Sequence, residues 1–121
     1  MAISPALFAL RRKVIENLYE ARRLTNDRVP YIKVRIVETE PNVAGQAFLA
    51  KNEIHISNRM ENWSDLKIKH IVFHELAHQY LGAEHSKKKD LMNPTYQPQL
   101  TSEKIEKDFR SLASKKLGNV I

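Results

Sequence analysis

The chain has 121 residues, no cysteine and a formal net charge of +6. That length fits one small domain, residues 1–121, around one modest core. The missing thiols exclude disulfides and any metal site built on thiolate, and no apolar run approaches the roughly 18 residues that a transmembrane helix needs.

The positive charge is clustered at Arg11-Arg12-Lys13, Arg22-Arg23, Lys87-Lys88-Lys89 and Lys115-Lys116. Solvated surface is the ordinary role of such runs. The other use is an acidic protein or a nucleic acid as partner. No aromatic residues alternate with the basic ones, which argues against a platform that stacks single-stranded bases. Arg11-Arg12-Lys13 follows the apolar stretch at residues 1–10, the reverse of a secretion signal, so a cytoplasmic monomer is the expectation.

Ser4-Pro5 predicts a helix start, with serine capping and proline suiting the first turn. Leu7, Leu10, Val14, Leu18 and Ala21 follow at helical spacing, and Asn26-Asp27 with Pro30 ends the element. Residues 31–38 alternate, Ile32, Val34 and Ile36 facing one way and Lys33 and Arg35 the other, as in a half-buried strand. Residues 45–50 and 52–57 read as two more short strands around Lys51. His55 falls opposite Ile54 and Ile56, where a surface histidine is expected. Ser64 or Asn62 can cap the next helix, with Asp65 in its first turn and Trp63 plugging the core. Thr101 or Ser102 starts the last helix, Ile105, Phe109 and Leu112 form its apolar stripe, and Gly118 marks its end.

Between the sheet and the last helix lies Ile71-Val72-Phe73-His74-Glu75-Leu76-Ala77-His78-Gln79-Tyr80-Leu81-Gly82. His74 and His78 are four residues apart, hence on one side of a helix and able to reach one metal ion. Glu75 is offset by about 100°, in reach of a water on that metal but not of the metal itself. The helix is apolar almost all round, so it is buried, and three polar side chains inside it need a reason. Gly82 can end it in a left-handed conformation, and His85 can return as a third ligand. Glu84 and Asp90 are the alternatives, since carboxylates also bind zinc. His70 lies one turn before His74, too far back for the same ion.

His74, Glu75, His78, Gly82 and His85, with Met92 and Pro94-Thr95-Tyr96 beyond, resemble the metzincin metallopeptidases, and among them the matrixins. That family has two residues between its second histidine and its glycine; here there are three, Gln79, Tyr80 and Leu81. The resemblance implies an α+β, zincin-like domain: N-terminal helix, a short three-stranded sheet, active-site helix, a tight methionine turn and a C-terminal helix. It further implies that Met92 packs under the histidines, that Pro94 and Tyr96 wall the pocket beyond the scissile bond, and that an edge strand, here with Gly45 and Ala47, pairs with an extended peptide or protein substrate.

The expected chemistry is zinc-dependent hydrolysis of peptide bonds. His74, His78 and His85 hold Zn2+, and Glu75 is the general base toward a metal-activated water. Three other readings stay open: a SprT-like protease acting on DNA-attached proteins, a zinc endoribonuclease, and a non-catalytic binding module stabilised by zinc. The continuation His85-Ser86-Lys87 departs from the first, and Glu75 directly after His74 speaks against the second.

Overall fold

The computed structural model describes residues 4–95 and 97–117. Helix α1 spans Pro5–Leu24. It starts where expected: the Ser4 Oγ accepts the Leu7 N–H at 3.1 Å. Its apolar spacing puts Leu10, Val14, Leu18, Ala21 and Leu24 in the core. Two consecutive left-handed residues, Asn26 and Asp27, turn the chain out of the helix. Asparagine and aspartate tolerate that conformation better than most side chains.

Strand β1 is Lys33–Val37, β2 is Gly45–Phe48 and β3 is Glu53–Ser57. They form one sheet in the order β1-β3-β2. β1 runs parallel to β3, Val34 opposite Ile54 and Ile36 opposite Ile56. β2 runs antiparallel to β3, Ala47 opposite Ile54. β3 is thus central, and Ile54 and Ile56 are fully buried. β2 is shorter than the expected residues 45–50, because residues 49–51 coil into a single 3-10 turn that reverses the chain into β3. Asn52 completes the reversal in the left-handed region, at φ 56°. His55 is not the surface histidine expected. It is half-buried, its ring 4.3 Å from that of Phe48 on the neighbouring strand.

Helix α2, Asp65–Leu81, is capped by Ser64, whose Oγ accepts the Lys67 N–H at 3.1 Å. It packs against α1, β2, β3 and the last helix, α3, Ser102–Leu117. That encirclement accounts for its apolar residues on every side: Ile68, Val72, Phe73, Leu76, Ala77 and Leu81 are all buried. Trp63, just before it, is partly buried against the core as expected. Thr101 caps α3, its Oγ1 accepting the Lys104 N–H at 3.1 Å. Phe109 then meets Phe73 edge-on, with ring centroids 5.0 Å apart. Ile105 and Ala113 extend this contact, and Leu112 packs half-buried beside it. Among the described residues the architecture is the expected small α+β domain, with three α-helices and one mixed three-stranded sheet. Gly118, expected to end α3, and Tyr96 lie outside the described residues.

β2 touches α2 at very close range. A Cβ on Gly45 would come within 2.9 Å of Ile71 Cγ2 and 3.0 Å of Glu75 Cγ. Both atoms belong to a helix fixed on its other sides, so neither can withdraw freely. Gly45→Ala is therefore expected to destabilise the fold by about 1–3 kcal/mol, the usual range for overpacking. Chemical denaturation of the variant beside the wild type reads this directly.

Candidate metal centre

α2 carries His70, His74 and Glu75 into the core, each buried. His78, one turn beyond His74, is half-buried, and His85 on the following loop is exposed.

Two main-chain carbonyls set the rings. His74 Nδ1 donates to Leu91 O at 2.8 Å, and His78 Nδ1 donates to Ala83 O at 2.8 Å. A carbonyl oxygen only accepts, so each neutral ring keeps its hydrogen on Nδ1 and leaves Nε2 as a bare lone pair. The two Nε2 atoms face each other at 3.2 Å. Lone pairs so close repel unless a proton or another cation lies between them. Burial opposes the proton, pushing the His74 pKa down to about 4 although the bond to Leu91 pulls the other way.

A third ring joins them. Ligand atoms of His74, His78 and His85 all lie within 4.8 Å of one another. Tetrahedral zinc, with nitrogens at about 2.0–2.1 Å, holds its ligands about 3.3 Å apart. The observed 3.2 Å pair matches that edge. Three imidazoles with no thiolate and a fourth position left over are a donor set suited to zinc.

The extra residue before Gly82 is absorbed by the last turn of α2. The Gly82 N–H closes on Ala77 O, five residues back, and the Ala83 N–H reaches the same oxygen at 3.1 Å, six residues back. An ordinary α-turn closes over four; this one is widened in the manner of a π-bulge. Gly82, at φ 59°, then takes the left-handed step that sends the chain back towards the rings.

Neither Glu84 nor Asp90, the alternative third ligands, belongs to the cluster. Asp90 is committed to its own loop: Oδ1 accepts the Met92 N–H and Oδ2 accepts the Ser86 hydroxyl, both at 3.1 Å. The Ser86 N–H donates to Met92 O at 2.9 Å, and Asn93 Nδ2 donates to Lys88 O at 2.8 Å. These bonds tie the segment that follows His85 to the turn bearing Met92, whose side chain is buried. Pro94 is exposed at the end of that turn.

Glu75 lies under β2. Burial raises its pKa from an ordinary 4.5 to about 7, against the lowering effect of a hydrogen bond from the Ala47 N–H. β2 pairs with β3 through its other edge, so the Ala47 N–H that reaches Glu75 belongs to the free edge of the sheet.

Several contributors to this centre were not singled out by the sequence. Leu91 and Ala83 act through main-chain oxygens, which leave no side-chain signal. Asp108 on α3 accepts the Leu91 N–H at 3.1 Å, a contact across 17 positions. His70 stays outside the ring cluster, as expected, but it is not idle: its Nε2 donates to Leu91 O at 3.1 Å. Its helical spacing from His74 was the signal that could have revealed this.

The family model of the matrixins matches residues 33–114, roughly two thirds of the chain. No curated protein and no solved structure gives a significant match.

The raised pKa of Glu75 has a stability consequence. The folded state holds the carboxyl proton more tightly than the unfolded chain does. Stability present below pH 4.5 is accordingly lost as the pH rises through about 7, where the buried group ionises. Glu75→Gln removes this loss. In metal-stripped protein the variant's advantage over wild type is expected to be small at pH 5 and to reach about 3 kcal/mol at pH 8, as measured by urea denaturation.

Proposed function

The chain belongs to the matrixin family of zinc metallopeptidases, and on that premise we propose that it is a zinc-dependent endopeptidase acting through His74, His78, His85 and Glu75. The observation that carries the proposal is the pair of bare Nε2 atoms at 3.2 Å, joined by a third imidazole, with a buried carboxylate next to His74 on the same helix.

When bound, zinc supplies an acidified water and polarises the scissile carbonyl. The chain supplies the rest. His74 and His78 have their Nδ1 hydrogens held by Leu91 O and Ala83 O, so in each neutral ring Nε2 is the atom turned towards the ion. Glu75 takes a proton from the attacking water and returns it to the leaving amine. Burial raises its pKa in the metal-free site, and a bound cation would lower it again, towards the carboxylate that a base requires. Gly45 and Ala47 present the free edge of β2 to an extended peptide backbone. Met92 supports the histidine rings from the turn, and Pro94 walls the pocket beyond the scissile bond.

Glu75 beside the ring cluster favours hydrolysis over a purely structural zinc site. A structural site has no use for a buried carboxylate that does not ligate, and such a group is costly. Glu75→Gln is expected to keep one zinc per chain while cutting cleavage of a quenched peptide library by about 100- to 10,000-fold. Metal analysis and the cleavage assay are run on the same preparation. Zinc retained by wild type without cleavage of any peptide would favour the binding module.

The ring cluster itself is tested at its centre. His78→Ala removes one of the two facing donors, and the variant is expected to lose stoichiometric zinc and cleavage together, as read by metal content after dialysis against a weak chelator.

A further inference from the structure

His70 is 1 % exposed, as buried as the core leucines, yet it takes no part in the three-ring cluster. Its Nε2 donates at 3.1 Å to Leu91 O, the oxygen that also receives the His74 Nδ1 hydrogen at 2.8 Å. The two rings approach nearly at right angles, 88° between planes, with centroids 6.0 Å apart. A carbonyl oxygen has two lone pairs, and here an imidazole from each of two successive turns of α2 engages one.

We propose that His70 is a positioning residue for the metal centre: its hydrogen bond fixes the direction of the Leu91 carbonyl, and that carbonyl fixes the rotation of the His74 ring. The inference rests on the reading of His74 as a zinc ligand.

The geometry supplies the reason. With His74 alone as donor, the Leu91 carbonyl could swing about that single bond and carry the ring with it. A second donor from the same rigid helix triangulates the oxygen. The Leu91 N–H is meanwhile held by Asp108 Oδ2 at 3.1 Å, so both main-chain polar groups of this residue are anchored, one to α2 and one to α3. A histidine serving only as filler would be an expensive choice at a position this deeply buried, where leucine packs without a polar atom to desolvate. Two donors on one oxygen do not make His74 a stronger base, since each weakens the other's pull. The contribution of His70 is therefore orientation, and it should appear in how well the site grips and shapes its ion.

Reach separates this role from core filling. In His70→Gln the side-chain amide nitrogen comes near the place of Nε2 and can donate to Leu91 O. In His70→Asn the amide reaches only as far as Nδ1, and in His70→Phe nothing donates. Zinc affinity of full-length protein is measured by competition with a chromophoric chelator, and the ligand-field spectrum is recorded after Co2+ replaces Zn2+. His70→Gln is expected to bind zinc within about threefold of wild type with an unchanged Co2+ spectrum. His70→Asn and His70→Phe are expected to bind about tenfold more weakly or worse, with a shifted spectrum, the low end of the loss seen when an outer hydrogen-bond partner of a ligand is removed. Should His70→Phe fail to fold, His70→Met, which adapts to irregular core space, takes its place. Equal zinc affinity in all variants overturns the inference, and so does an equal loss in Gln and Asn. Wild type that takes up no zinc overturns the proposed function and this inference with it, an outcome distinct from either of the others.

Discussion

Two imidazole hydrogens are held away from the cleft by main-chain oxygens, and most of the fold around the site follows from that requirement. A helix spends its interior carbonyls on its own hydrogen bonds, so free acceptors for His74 and His78 must come from chain that has left the helix. Leu91 and Ala83 supply them. Ala83 is available because α2 ends in a widened turn at Gly82, and Leu91 because the loop after His85 folds back under bonds from Ser86, Asp90 and Asn93. α3 is needed as well, since Asp108 holds the Leu91 N–H. Ligand orientation is thus assembled from three separate stretches of chain.

Encirclement of α2 by α1, α3, β2 and β3 then sets the electrostatics. Low dielectric disfavours charge on either sign of group. It keeps His74 neutral, with its pKa pushed to about 4, and it holds the Glu75 proton up to about 7. Both shifts favour forms that carry no charge, which leaves facing lone pairs with nothing positive to satisfy them. A divalent cation relieves that deficit, and its arrival also lowers the cost of ionising Glu75 nearby. On the proposed reading, metal uptake, folding and the charge state of Glu75 would in this way be linked through one small volume.

Much of this was legible in the sequence because it is periodic. His74 and His78 share a helix face by spacing alone, Ser4 and Ser64 announce their helices as caps, and the alternation at Ile54 and Ile56 marks a strand. What escaped was either non-local or carried by backbone. The Ala83 and Leu91 oxygens have no side-chain identity to read, and Asp108 acts from another helix. Residues 49 and 50 looked like strand because the 3-10 turn that reverses the chain depends on Asn52 adopting a left-handed conformation. The spacing of the motif was readable, but the way the extra residue is absorbed was not. A longer helix, a reshaped loop or a different ligand would all fit the same letters, and only the bonds from Gly82 and Ala83 to Ala77 O distinguish them.

The three histidines are not held equally, and the difference follows their depth. His74 is buried, bonded to an oxygen that is itself anchored twice more, by His70 and through the Leu91 N–H. His78 is half-buried and leans on an oxygen two residues past the helix end. His85 is exposed on the returning loop, and its position comes from the bonds that stitch residues 86–93. Two of the candidate ligands are therefore preorganised by the helix, while the third is presented by a segment open to water. On the proposed reading, such a gradient would let an ion arrive from solvent at the exposed ring and settle against donors whose directions are already fixed. The ordering cost that remains falls on a single loop side chain rather than on the whole site.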